Sequence, residues 1–251
     1  MRKNRNKMNF IDFKKQFFKS ILLLLPLAAV FARAGEATEK FSIFGLALTS
    51  EIQFPSDTKS NIRGVSLSLF VEERNSVRGV DVGLCSWIDK EMTGIQISFV
   101  GSATKNFNGI QFAGLGAFNE TFNGVMFAGL LNNSAGYQKS YGLQMAGLFN
   151  THCSINFASK RFSDLFVGGQ IAFIGNAAAK INGFQIALGI NGTDELKGFQ
   201  IGFYNYAETL CGLQIGVLNV AREGSGLQIG LLNFFGKDDN RFVLPLLNAR
   251  F

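Results

Sequence analysis

From residue 64 onward, large apolar residues alternate with small or polar ones in short bursts, each opened by a glycine. These glycines are Gly64, Gly79, Gly94, Gly109, Gly124, Gly142, Gly168, Gly183, Gly198, Gly212 and Gly226. They recur every 14 or 15 residues, apart from intervals of 18 and 26 on either side of Gly142. With the glycine as position zero, +1 is apolar in ten of eleven copies and +3 in all eleven. Position +2 is Gln in eight copies, and +4 is always Gly, Ala or Ser. Period-two alternation predicts β-strands with one apolar face, whereas a helix would need large residues at +3, +4 and +7 together. Polar stretches such as residues 191–195 and 221–225 read as turns. No proline interrupts the chain between Pro55 and Pro245, so a continuous sheet is allowed. The fold class is all-β, built from one repeat.

A repeat of about 15 residues is compatible with two architectures. One strand and one turn per copy would close into an antiparallel transmembrane β-barrel of about 12–14 strands. One full coil per copy would instead stack in parallel as a β-solenoid. Charge favours the barrel. Across positions 0 to +7 of the eleven copies, Asp81 is the only charged residue. A soluble solenoid would be expected to carry charges on its outer strand faces. A barrel would put the +1 and +3 residues against lipid and line its lumen with Gln, Gly, Ala and Ser. In a solenoid the same apolar residues would be expected to form the core. Two features favour the solenoid. The intervals are uniformly short, and +6 is mostly apolar, as in Leu115, Leu130, Leu148, Leu218 and Leu232.

The N-terminus reads differently. Residues 1–34 carry eight Lys or Arg and one Asp; the other 217 residues carry 16 basic and 17 acidic side chains. The formal net charge of +6 therefore belongs to this segment, and no basic footprint for nucleic acid remains. The apolar run from Ile21 to Phe31 and the small residues Ala32 and Ala34 complete a secretory signal peptide over 1–34, cut before Gly35. The mature single repeat-built domain is 35–251. Export places Cys85, Cys153 and Cys211 where disulfides are permitted, but their number and spacing suit small apolar fillers.

The chain ends with Val243, Leu247 and Ala249 alternating around Pro245 and closing on Phe251. This resembles the final strand that outer-membrane barrels present to their insertion machinery. The repeat itself, Gly-aliphatic-Gln-aliphatic-Gly/Ala followed by Asn at Asn205, Asn219 and Asn233, resembles bacterial surface-repeat proteins of Gram-negative lineages over residues 64–251. The resemblance implies an outer-membrane or surface location, membrane lipid and the insertion machinery as partners, and no known activity. The expectation is an outer-membrane barrel, pore-like or structural, or alternatively an exported solenoid that binds a partner or surface.

Candidate chemistry is sparse. His152 is the sole histidine, and Thr151, Cys153 and Ser154 beside it suggest at most a nucleophile pair in a loop within the 151–167 insertion. Asp238, Asp239 and Asn240 are three residues of a turn rather than a calcium loop. Phe107, Phe112, Phe118, Phe122 and Phe127 suggest an aromatic stripe facing lipid. No catalytic, metal or cofactor residue is assigned.

Overall fold

The structure, a computed structural model, describes residues 41–49, 52–56, 60–134, 139–152, 165–236 and 242–250. The signal segment, Cys153, Ser154, Asp238, Asp239, Asn240 and Phe251 lie outside the described residues. All eleven described elements are strands: β1 (Phe41–Thr49), β2 (Ile52–Phe54), β3 (Asn61–Ala113), β4 (Gly116–Ala128), β5 (Leu131–Ser134) and β6 (Ser140–Ala146). Then follow β7 (Phe149–His152), β8 (Leu165–Ala172), β9 (Gly175–Ala187), β10 (Ile190–Phe235) and β11 (Phe242–Arg250). The all-β class holds, and the architecture is a β-solenoid rather than a barrel.

Strand direction decides this. Successive coils pair in parallel and in register, Gly109 with Gly124, Gly124 with Gly142, Gly168 with Gly183, and Gly183 with Gly198. An up-and-down barrel needs antiparallel neighbours, and among the described strands only β1–β2 and β10–β11 are antiparallel. A barrel would also pair its last strand with an early one. Here β11 lies at one end of the strand order and β1–β2 at the other. Those two antiparallel pairs cap the stack. Pro245 in β11 lacks an N–H to offer a further strand, which blunts that edge. At the opposite end the buried Arg74 guanidinium donates to the carbonyls of Phe54 and Pro55 at 2.9 Å and to Ser60 Oγ at 2.8 Å, tying the cap to the first coil.

One glycine per coil makes the turn. Gly198, at φ +135°, would thrust a Cβ onto the carbonyl oxygen of Gly183 in the coil before. The same backbone shape recurs at each repeat glycine from Gly64 to Gly212, so the repeat phase is set by a conformation that L-residues avoid. A second corner falls at residues 114–115, 129–130, 147–148, 173–174 and 188–189. The coils beginning at Gly198 and Gly212 are one residue shorter, and that corner bend is missing, so β10 runs unbroken.

The interior is unlike an ordinary apolar core. Its large hydrophobic row stands two residues before nine of the eleven repeat glycines: Ile62, Val77, Met92, Phe107, Phe122, Phe166, Ile181, Leu196 and Leu210, all buried, with Ser140 and Gly224 in that place before Gly142 and Gly226. The +3 residues do not form it. Ile201, Ile229, Phe112 and Leu67 are exposed on the outside, so the expectation that a solenoid would bury them is overturned. The Gln row fills the interior instead, fully buried at Gln96, Gln111, Gln144, Gln170, Gln185, Gln200, Gln214 and Gln228. An isolated buried amide is costly, but in-register stacking places the next coil's amide within reach along the axis, about 4.8 Å away.

Candidate functional site: polar ladders under an apolar face

Six of the eight glutamines donate an amide N–H to the oxygen of the glutamine one coil earlier. Gln170 donates to Gln144, Gln185 to Gln170, Gln200 to Gln185, Gln214 to Gln200 and Gln228 to Gln214, each at 2.8 Å. The second amide hydrogen reaches a backbone carbonyl, as from Gln200 to Tyr206 O at 3.1 Å. A row that always donates toward the N-terminus must finish on an acceptor. It does so twice. Gln111 donates to Gln96 and Gln96 to Asp81 Oδ2 at 3.0 Å, and Gln144 donates to Ser134 Oγ at 2.8 Å. Asp81, the one charge in the strand positions, is buried as an acceptor terminus. Between the two rows Met126 replaces a glutamine, and Asn119 Nδ2 donates to the otherwise open Gln111 Oε1 at 2.7 Å.

A second ladder runs the other way. Asn132 donates to Asn150, Asn150 to Asn176, Asn176 to Asn191, Asn191 to Asn205, Asn205 to Asn219 and Asn219 to Asn233, at 2.8–2.9 Å. At position +7 the sequence carries Asn only at Asn205, Asn219 and Asn233. Asn132, Asn150, Asn176 and Asn191 sit at +8 rather than +7, because their coils hold the extra corner residue. Allowing the spacing to slip by one would have found the whole row.

With polar groups inside, the outside divides lengthwise. In the coil from Gly183 to Lys197, Phe184, Ile186, Leu188 and Ile190 face outward first, then Gly192, Asp194, Glu195 and Lys197. Leu188 is 69% exposed and Phe203 in the next coil 61%. Phe112 stacks on Phe127 at 4.9 Å between centroids, and Phe184 on Phe199 at 5.3 Å. The expected phenylalanine stripe is thereby split. Phe107 and Phe122 are buried in the core, Phe112 and Phe127 lie on the apolar face, and Phe118 lies on the charged half. Opposite charges pair between coils on that half: Lys105 with Glu120, Lys180 with Glu195, and Arg222 with Glu208.

His152 ends β7 inside the solenoid, not in a loop. Its Nδ1 lies 2.6 Å from Ser134 Oγ, and its ring lies 5.2 Å from that of Phe166. Burial pulls its pKa down to about 4. Ser134 and His152 are both fully buried. Thr151 turns away and reaches Asn132 O at 3.3 Å. Among the described residues, Cys85 and Cys211 are free thiols, the latter exposed, and no group of three His, Cys, Asp or Glu converges as a metal site. Comparison with protein-family models, with curated proteins and with solved structures finds no match.

Proposed function

We propose that the protein is an exported, surface-associated β-solenoid that lies on a lipid membrane by its apolar side, in a structural or binding role. The observation that carries this reading is the lengthwise segregation of the surface. No charged side chain stands on the outer face of positions 0 to +7, while the other half of each coil is polar and charged. Eleven coils at about 4.8 Å each give a face roughly 50 Å long, and the four residue steps from a repeat glycine to the second corner, as from Gly183 to Ala187, give its flat part a width near 13 Å. The resulting patch of roughly 650 Å² exceeds what a typical monomer leaves in water. At about 25 cal/mol per Å², immersing it would release on the order of 16 kcal/mol before ordering costs. A membrane accepts such a face without a matching partner shape. The signal segment and the resemblance to surface-repeat proteins fit the same location. The insertion machinery has no part in this reading, since it was expected only for the final strand of a barrel.

The test is flotation of purified mature protein with phosphatidylethanolamine–phosphatidylglycerol vesicles, beside the double variant Leu188→Glu, Phe203→Glu. Both side chains are mostly exposed, so the variant should keep its far-UV spectrum and melting point while losing vesicle association. Wild-type protein that stays in the aqueous fraction, or forms defined dimers without floating, refutes the membrane reading.

A further inference from the structure

The charged half carries one feature that pairing between coils does not explain. Trp87, the sole tryptophan of the chain, stands 58% exposed there. It rises from the coil before Ala103, and Phe118, also exposed, rises from the coil after, in register with Ala103. The small residue between two aromatic ones leaves a groove of about 450 Å³, within the range of small-molecule sites. Trp87 Nε1 donates to Asp89 Oδ1 at 3.0 Å, which fixes the indole's orientation. Lys105, Glu120 and Asn133 line the remainder, with Lys105 Nζ 3.9 Å from Glu120 Oε2.

We propose that this groove binds a neutral sugar ring of a glycan. A pyranose has an apolar C–H face and a rim of hydroxyls that both donate and accept. The aromatic pair suits the face. Two carboxylates, one ammonium and one amide supply both acceptors and donors for the rim. A quaternary ammonium ligand would use the rings and the carboxylates, but Lys105 would repel it. The groove lies away from the apolar face, so sugar binding does not depend on membrane association.

Trp87 supplies the readout. Emission of the mature wild-type protein is titrated with maltose, cellobiose, lactose and N,N′-diacetylchitobiose, each to about 50 mM, which covers weak single-site binding. At least one sugar should give a saturable shift. Ala103→Phe fills the groove from an outward position without removing any polar group, and should abolish the shift. Phe118→Ala keeps the reporter and should weaken binding about tenfold. Far-UV spectra establish that both variants are folded, and if one is not, the other decides. No saturable shift with any sugar overturns the proposal, as does a shift that persists undiminished in the folded variants. A shift with choline chloride and none with sugars also overturns it, assigning the groove to a cationic ligand.

Discussion

Replacing Gln200 by Leu tests whether the amide ladder holds the solenoid together. Gln200 is fully buried; it donates to Gln185 Oε1 and Tyr206 O, and accepts from Gln214 Nε2. Leucine fits the volume but leaves the Gln185 oxygen and the Tyr206 carbonyl without these donors. Gln214 keeps only its bond to Val220 O at 3.3 Å. Each buried polar group left short costs about 1–3 kcal/mol, and the gain from replacing an amide by apolar carbon offsets part of this, leaving about 3 kcal/mol net. Gln228 is the internal control. Its Oε1 has no hydrogen-bond partner, so Gln228→Leu strands fewer groups and should cost roughly half as much. Ile201→Gln, on the outer face beside the ladder, should change stability by less than about 0.5 kcal/mol. Urea unfolding followed by circular dichroism measures all three. If Ile201→Gln is the most destabilising and Gln200→Leu is silent, the interior has been assigned to the wrong face.

Three further outcomes are expected. Gly198→Ala should cost more than about 2 kcal/mol and lower the yield of folded protein, since its φ of +135° and the Gly183 carbonyl both exclude a methyl; an unchanged urea midpoint would contradict this. His152 has a folded pKa near 4 against an ordinary 6.5, so the unfolded chain binds the extra proton. The imidazole therefore costs nothing above pH 7, and stability falls as pH drops from about 6.5 to 4, by about 3 kcal/mol in all. His152→Asn should remove that part of the pH dependence, and identical slopes for variant and wild type would refute it. Lys180→Ala breaks a partly exposed pair with Glu195 and should cost under about 1 kcal/mol, an effect that salt erases; a larger, salt-insensitive loss in the urea midpoint would show that the charged half holds the stack.

Period-two alternation and a fixed glycine spacing were enough to read strands, repeats and the all-β class, because both are local properties. Whether successive copies run parallel or antiparallel is not local. Gly212 to Asn219 spells the same strand in either arrangement, and only the pairing of Gly183 with Gly198 distinguishes them. A barrel and this solenoid alike hide Gln and show Ile to the outside, so the scarcity of charge that favoured a barrel follows equally from a solenoid with one apolar side. The true core row was overlooked because Ile181, Leu196 and Leu210 fall among turn-like polar residues, outside the alternating stretch. Ser134 and His152 lie 18 residues apart, and nothing in their neighbourhoods announces that one coil stacks them. The groove at Trp87 and Phe118 is legible only once adjacent coils are placed side by side.

The opposed directions of the two amide ladders bear on how such a chain could lengthen or shorten. Within an uninterrupted stretch, every coil supplies one side-chain donor and one acceptor to each ladder. A tandem duplication of residues 198–211 would add Gln and Asn amides that both accept from one neighbour and donate to the other. The two ladder ends would move apart without a new orphan appearing between them. Loss of a coil is equally silent. Coil number is therefore neutral with respect to interior hydrogen bonding, and unequal recombination can change the length of the solenoid while its caps and its two outer faces keep their relation.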